Sequence, residues 1–217
     1  MQVQVTSLAV TGLACRRAGR LVLDGVSFKL ASGEGLVVTG RNGAGKSTLL
    51  ACLAGRLRPE RGTIHASGTG DLTLPECLHL VGHRDALKGS LTAGENLDFA
   101  RAVLGSPRLT TAAALEAVGL GHAASLPVGL LSAGQRRRVA LARLLVAHRP
   151  LWLLDEPATA LDLASAARLA DLVRDHLAGG GLVVAATHAP LGVEALTRLE
   201  LRGRPAAPAP ASAWEGW

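Results

Sequence analysis

The segment from Gly40 to Thr48 has the residue types and spacing of a phosphate-binding loop: a glycine, four residues, then Gly-Lys-Ser/Thr. Glycines let the backbone turn tightly, so that successive N–H groups converge on phosphate oxygens at the positive end of a helix. We expect Lys46 to reach the β- and γ-phosphates of a nucleoside triphosphate and the Ser47 hydroxyl to ligate Mg²⁺. The predicted nucleotide-binding residues here are Gly40, Arg41, Asn42, Gly43, Ala44, Gly45, Lys46, Ser47 and Thr48.

The residues on either side of this loop predict the secondary structure that it requires. Residues 35–39, Gly-Leu-Val-Val-Thr, form an apolar, β-branched run that is typical of a buried strand. Residues 49–54, Leu-Leu-Ala-Cys-Leu-Ala, are typical of the opening of a helix. Strand, glycine loop and helix in that order distinguish a phosphate site from a glycine turn that happens to precede a lysine.

The acidic pair Asp155-Glu156 follows four apolar residues that predict another buried strand. A carboxylate at the carboxyl end of a parallel strand faces the crevice where ligands bind. We therefore expect Asp155 to hold Mg²⁺ through water, and Glu156 to orient and deprotonate an attacking water. The alternative is a strand-ending acid that caps a turn.

The segment Leu131-Ser132-Ala133-Gly134-Gln135 precedes a predicted helix. Taken alone, it predicts only an N-cap. A serine at a helix start can also offer its hydroxyl, the neighbouring N–H groups and the positive end of the helix dipole to a phosphate.

Predicted strands and helices position these motifs. Residues 3–30 predict short strands, with Asp24-Gly25 as the turn between the last two. The pattern from about 84 to 148 is helical, and Thr92 with Glu95 forms a capping-box arrangement at its start.

Strands return in the second half of the chain. Residues 151–155 and 182–186 predict buried strands, and residues 163–178 predict a helix between them. The alternation implies a parallel sheet with helices on its faces and a helical lobe inserted in the middle. Residues 1–202 are predicted to form one domain, and the Pro/Ala-rich residues 203–217 an unstructured tail.

The bulk composition excludes some classes of protein. Hydrophobic residues make up 48% of the chain, which is typical of a globular protein. The formal net charge is +6, but the arginines are dispersed and only 2% of residues are aromatic, so the charge supports nucleic-acid binding weakly. Three separated cysteines predict small buried residues in a reducing compartment. Without an apolar run of about 18 residues, we expect a cytosolic chain or one peripheral to a membrane.

The order of the motifs resembles the ATP-binding-cassette (ABC) ATPase family over about residues 3 to 202. The phosphate loop is followed by Leu-Ser-x-Gly-Gln, a strand ending in Asp-Glu-Pro, Ala-Leu-Asp at 160–162 and a lone His188 after a strand. The resemblance implies an α/β P-loop NTPase fold. It would have a mostly parallel sheet, an N-terminal antiparallel β subdomain and an inserted helical subdomain.

The same resemblance implies that two copies sandwich two ATP molecules head to tail. The residues implied to face the partner's phosphate loop across the γ-phosphate are Ser132, Ala133, Gly134 and Gln135. Asp162 is implied to touch the partner's site and to couple the two sites. His188 is implied to hydrogen-bond the γ-phosphate and to hold Glu156 and water in place, so Lys46, Glu156 and His188 are the expected catalytic residues.

Three positions depart from the family's pattern. Ala133 stands where glycine is usual. Arg17 stands where an aromatic side chain normally stacks on adenine, and an arginine can stack there too. His83 stands where a glutamine normally touches Mg²⁺, so the expected metal residues are Ser47, Asp155 and His83.

The chain is also similar to one subfamily, the ATP-binding subunit of the cytochrome c maturation system, often called the haem exporter. The similar segments are residues 81–83, 91–97, 131–144 and 152–157. The resemblance implies a peripheral ATPase on the cytoplasmic face of the inner membrane, working with integral permease subunits. Hydrolysis would be tied to haem export or to release of a haem-loaded chaperone.

Other functions fit the same motifs. An ABC subunit for another cargo, such as a small peptide, a lipid or a metal, would keep every catalytic residue and change only the membrane partner. A soluble nucleic-acid-associated ABC protein usually carries two cassettes or a long coiled-coil insertion, and the chain shows neither, so no nucleic-acid partner is expected. A regulator with a dead site is disfavoured by the presence of Lys46, Asp155, Glu156 and His188.

Cys77, His79 and His83 share one face of a predicted strand, which suggests a metal or haem site. No fourth ligand is spaced to complete such a site, and Cys77 and His79 would pack on a half-buried strand. We therefore expect no metal or haem site formed by these three residues together.

Overall fold

The computed structural model describes residues 3–202, and the tail predicted at 203–217 lies outside the described residues. Strands and helices alternate along this range. Their order is β1 (Ser7–Arg17), β2 (Arg20–Ala31), β3 (Gly35–Thr39), α1 (Lys46–Leu53), β4 (Arg61–Ser67), β5 (Leu78–Val81), α2 (Ala93–Leu104), α3 (Thr111–Ala117), α4 (Ala133–Val146), β6 (Leu151–Asp155), α5 (Leu163–Ala178), β7 (Leu182–Ala186) and β8 (Leu196–Glu200).

The strands β2, β1 and β4 form an antiparallel sheet in that order. The β1–β2 hairpin turns at Ala18-Gly19, whose φ angles of 47° and 76° are both positive, as a two-residue type I′ turn requires. The turn predicted at Asp24-Gly25 is therefore wrong. These residues lie inside β2, at a bulge where the pairing register slips, and Gly25 accommodates it with a φ of 68°.

The second sheet is parallel and runs in the order β5-β6-β7-β3-β8. Every residue of β6 and β7 is buried, which their continuous apolar runs allow. The register pairs Asp155 with Ala186 and Ala186 with Val38, so the carboxyl ends of β6, β7 and β3 lie side by side. This edge of the sheet positions the phosphate loop, the acidic pair and His188 next to one another.

The helices α2, α3 and α4 form the lobe between β5 and β6. The predicted capping box is present at α2: Thr92 Oγ1 accepts the Glu95 N–H at 3.1 Å, and the Glu95 carboxylate accepts the Thr92 N–H at 2.7 Å. With the two sheets, this lobe confirms the predicted α/β fold class. The bounds of the domain at 1–202 and of the lobe at about 84–148 stay predictions.

The parallel sheet separates two apolar layers because its side chains alternate between faces. Trp152 and Leu154 pack with the helical lobe and α5, whereas Leu151 and Leu153 pack with α1 and the antiparallel sheet. The three cysteines are buried free thiols. Within residues 3–202, no helix is both long and apolar enough to cross a membrane.

Candidate nucleotide-binding site

The phosphate loop joins β3 to α1, and its glycines adopt backbone angles that other residues avoid. The φ angle is 140° at Gly40, 78° at Gly43 and 105° at Gly45, which is the N-cap of α1. Gly45 also packs closely against β2, because a Cβ there would lie 2.9 Å from the Val22 side chain. Strand β2 of the antiparallel sheet thus packs directly against the phosphate loop.

Lys46 is the first residue of α1 and is largely buried. Its ammonium group donates to the Gly40 carbonyl oxygen at 3.0 Å and lies 2.9 Å from His188 Nε2. Because an ammonium group can only donate, His188 Nε2 must accept, which places the proton of a neutral imidazole on Nδ1. Lys46 therefore bridges the phosphate loop and the end of β7.

Glu156 directly follows β6 and has a φ of 46°, which is uncommon for a residue other than glycine. Its N–H donates to the Ala186 carbonyl oxygen at 2.8 Å. One oxygen of its carboxylate accepts the backbone N–H of His188 at 3.3 Å. The other carboxylate oxygen lies 3.4 Å from the ring atom Nε2 of His188. Lys46, His188 and Glu156 thus form one polar chain at the head of the phosphate loop.

The three residues of this polar chain line an open cavity of about 760 Å³, a size that is typical of small-molecule sites. The predicted residues that line it come from separate segments of the sequence. They are Asn42, Gly43, Gly45, Lys46, Ser47, Thr48, His83, Asp155, Glu156 and His188. Arg41 is exposed and outside this lining, and its carbonyl oxygen accepts the N–H of the buried Ala44 at 3.0 Å.

The Ser132–Gln135 segment does not line this cavity. Ser132 Oγ accepts the Gln135 N–H at 3.2 Å, and Gln135 Oε1 accepts the Ser132 N–H at 2.8 Å, so the pair caps α4. Ser132 and Ala133 are exposed. Gly134 packs against the loop after β6, since a Cβ there would lie 2.7 Å from the Ala160 carbonyl oxygen.

Asp162 and Arg17 also lie outside the cavity. Asp162 caps α5 by accepting the Ser165 N–H at 2.7 Å, and this hydrogen bond lowers the pKa of its carboxyl group. Arg17 is exposed at the tip of the β1–β2 hairpin, where it pairs with Arg20. From β2, it is Val22 that lines the cavity.

One buried arginine, which belongs to none of the predicted motifs, contacts the backbone of the acidic pair. Arg137 on α4 donates to backbone carbonyl oxygens at residues 155–157 and to the loop that precedes the helical lobe. The sequence does carry a signal for it. Arg137 shares the helical spacing of the buried Ala140 and Leu141, so it falls on the buried stripe of α4.

The residues that suggested a metal or haem site are separated. His79 is buried, its Nε2 donates to the Ala147 carbonyl oxygen at 3.0 Å, and burial lowers its pKa to about 4. Cys77 is a buried free thiol, while His83 lines the nucleotide cavity. Within residues 3–202, no group of three His, Cys, Asp or Glu side chains is placed to hold a metal ion.

Solved structures share this fold. A bacterial Atm1-family ABC exporter with ATP bound superposes with a TM-score of 0.79 at 26% identity, over 93% of this chain and 38% of that one. An ATP-binding cassette in a dimeric post-hydrolysis state with ADP and Pi superposes with a TM-score of 0.74 at 24% identity, over 84% of this chain and 88% of that one.

Sequence comparison agrees with the fold. The cytochrome c biogenesis ATP-binding export protein CcmA of Rhodopseudomonas palustris (strain BisB5) is 54% identical over 189 residues, which cover 87% of this chain and 94% of that protein. The family model described as "ABC transporter" matches residues 23–159. The match carries both the phosphate loop and the acidic pair. This chain therefore belongs to the ABC transporter family, as one of its ATP-binding proteins.

Proposed function

We propose that this chain is the ATP-hydrolysing subunit of an ABC transporter complex of cytochrome c biogenesis, which exports haem or releases a haem-loaded chaperone. One observation carries the proposal. The polar chain of Lys46, His188 and Glu156 stands at the head of a phosphate loop in a sequence 54% identical to a cytochrome c biogenesis ATP-binding export protein. A lysine, an imidazole and a carboxylate at that place supply the groups that hold a triphosphate and direct water at it.

In this proposal, ATP binding exchanges the partners of Lys46. Lys46 Nζ contacts two neutral acceptors, the Gly40 carbonyl oxygen and His188 Nε2. Phosphate oxygens are anionic and accept more strongly, so they replace these partners. The exchange releases His188 Nε2, so the neutral ring can take its other tautomer and donate the Nε2 proton to a γ-phosphate oxygen. The loop N–H groups with the amino end of α1 add a positive field.

Glu156 then orients the attacking water and takes its proton. The water oxygen bonds to the γ-phosphorus as the bond from that phosphorus to the β–γ bridging oxygen breaks. The backbone N–H of His188 holds the Glu156 carboxylate in place at 3.3 Å, while the His188 ring binds the phosphate. A positioned base contributes about 10²–10⁴-fold in rate, and Lys46 stabilises charge on the phosphoryl oxygens.

Mg²⁺ is the metal that the residues of the cavity fit. Ser47 and Asp155 both line it and present a hydroxyl and a carboxylate, the hard oxygen donors that Mg²⁺ prefers. His83 lines the same cavity, but its imidazole suits softer divalent ions better, so we assign the ion to the two oxygen donors. Bound there, Mg²⁺ would neutralise charge on the β- and γ-phosphates.

A second copy of the chain completes the proposed site. Ser132 and Ala133 are exposed at the amino end of α4, and Asp162 is exposed at the start of α5. None of them lines the cavity that Lys46 lines, although a helix start with free N–H groups favours an anion. A head-to-tail dimer supplies Ser132 of one copy to the γ-phosphate held by the other.

We place the working complex at the cytoplasmic face of the inner membrane, with integral permease subunits as partners. The edge strand β5 and α4 flank a groove of about 220 Å³ whose lining combines leucine side chains with Arg56 and Arg143. Leucines beside two arginines fit an amphipathic permease helix that carries an acidic side chain. Charge reversal by Arg56→Glu should therefore weaken capture of the permease from detergent-solubilised membranes.

Complementation tests the proposal. In a bacterium that lacks its own cytochrome c biogenesis ATP-binding subunit, the wild-type chain should restore c-type cytochromes, measured by haem staining, and Lys46→Ala at equal abundance should not. ATPase activity without rescue would refute the cytochrome c role and leave the ATPase assigned to another cargo. Hydrolysis stimulated by DNA or RNA in the absence of lipid would favour a nucleic-acid-associated protein instead.

A further inference from the structure

The Arg137 side chain lies behind the catalytic strand and is nearly buried. Three consecutive carbonyl oxygens at the end of β6 converge on its guanidinium group: those of Asp155 (2.8 Å), Glu156 (2.9 Å) and Pro157 (3.1 Å). This convergence accompanies the φ of 46° at Glu156, a backbone angle that persists only when surrounding structure holds it. Arg137 therefore holds Glu156 by its backbone, while His188 holds its carboxylate.

The other two donors of Arg137 reach the loop between β5 and the helical lobe. Nη1 donates to the Gly82 carbonyl oxygen at 2.8 Å and to Asp85 Oδ1 at 3.0 Å. The five N–H groups of the guanidinium are then all used, which matches its full donor capacity. His83, which lines the nucleotide cavity, lies between these two contacts in sequence. Arg137 thus joins the loop that carries His83 to the residue that carries the base.

We propose that Arg137 is a positioning residue for ATP hydrolysis: it holds Glu156 in its catalytic conformation while α4 is seated against the core. The inference rests on the proposed function, because it takes Glu156 as the base. Ser132 is the N-cap of the same helix, little more than one turn away. Contact between Ser132 and nucleotide on a second copy is therefore transmitted through α4 and Arg137 to Glu156.

The experiment compares Arg137→Met and Arg137→Lys with the wild-type full-length chain. Arg137→Met should lower kcat for ATP about 100-fold, the scale expected when a catalytic group shifts by about 1 Å. KM and the affinity for a fluorescent ATP analogue should stay within about twofold, because Arg137 does not line the nucleotide cavity. Arg137→Lys supplies the charge but only three donors, so it should restore part of kcat.

The variant Asp85→Asn distinguishes an effect of Arg137 on the position of Glu156 from an effect on the stability of the fold. It removes the carboxylate that faces the buried Arg137 charge but keeps the carbonyl contacts, so the urea midpoint should fall while kcat changes less than about threefold. In the double variant with Arg137→Met, the midpoint should recover in part and kcat should stay low. Arg138→Gln is the matched control, because the neighbouring side chain donates to the Val118 and Gly119 carbonyl oxygens within the lobe and not to residues 155–157.

Two results would overturn this role. The first is a kcat that follows the urea midpoint across all of these variants, which would make Arg137 merely structural. The second is a wild-type kcat in Arg137→Met, which would show that Glu156 needs no such support. Neither result touches the proposed function, which fails separately if the wild-type chain hydrolyses no ATP.

Discussion

Two buried histidines should make the folded state sensitive to mild acid. His79 Nε2 donates to the Ala147 carbonyl oxygen at 3.0 Å, and His176 Nε2 donates to the Pro150 carbonyl oxygen at 3.2 Å. His176 also stacks on Trp152, with ring centroids 3.9 Å apart and planes within 10°. Burial is the main reason why both pKa values fall from 6.5 to about 4.

Nearby basic groups lower the two pKa values further, while the carbonyl hydrogen bonds raise them. The basic groups that face His79 are Arg149, Arg143 and His148, and those that face His176 are Arg108 and His148. Each histidine has a lower pKa in the folded state than in the unfolded state. At pH values between these two pKa values, the unfolded chain therefore binds more protons than the folded chain. The stabilisation is therefore fully present above pH 6.5 and is lost as the pH falls toward about 4.

The size of the effect follows from the two pKa values. One pKa unit corresponds to about 1.4 kcal/mol, so each histidine should lower the free energy of unfolding by about 2 kcal/mol between about pH 7.5 and about pH 5. The pair should lower it by about 4 kcal/mol. That is a large part of the roughly 5–15 kcal/mol that typically separates folded from unfolded protein.

Urea unfolding of the wild-type chain and of His79→Gln, His176→Gln and the double variant measures this directly. Glutamine keeps an N–H donor for each carbonyl oxygen but does not titrate, so each single variant should lose about half of the acid sensitivity and the double variant most of it. His122→Gln, at an exposed position, is the control. Equal acid sensitivity in the double variant and the wild type would refute the assignment to buried neutral imidazoles.

The residues assigned to the nucleotide site give three further predictions. Lys46→Ala should abolish binding of an ATP analogue, measured by fluorescence; normal turnover would contradict its role at the phosphates. Glu156→Gln should still bind ATP, lose about 10²–10⁴-fold in rate and accumulate as an ATP-bound dimer in light scattering. Ser132→Arg should impair hydrolysis but leave nucleotide binding by the monomer intact, so lost monomer binding would count against the head-to-tail arrangement.

The sequence predicted the fold class and the phosphate loop because both depend on local chemistry. The loop needs positive φ angles at Gly40, Gly43 and Gly45, and glycine adopts them at little cost. The buried strands β6 and β7 are continuous apolar runs that only a doubly covered sheet accommodates. Local signals failed at the β1–β2 hairpin, where Asp24-Gly25 has the favoured turn composition but Ala18-Gly19 forms the turn.

Other features depend on tertiary structure and leave weaker traces in the sequence. Strand β8 lies at one edge of the parallel sheet, where its exposed residues obscure the apolar pattern of a buried strand. The polar chain of Lys46, His188 and Glu156 joins residues up to 142 positions apart, so its distances follow only from the folded sheet. Lys46 and Glu156 were predicted from their own motifs, and His188 through the resemblance to a family.

The backbone of Glu156 shows why the base cannot be understood from its motif alone. Its left-handed φ of 46° is unfavourable for a glutamate in isolation, and one of the hydrogen bonds that hold it comes from Arg137, on a helix of the inserted lobe. If α4 moves relative to the core, that hydrogen bond must lengthen and Glu156 must relax. By linkage, whatever stabilises the catalytic conformation of Glu156 must equally favour the seated position of α4. Hydrolysis and the position of the helical lobe are therefore coupled through one side chain.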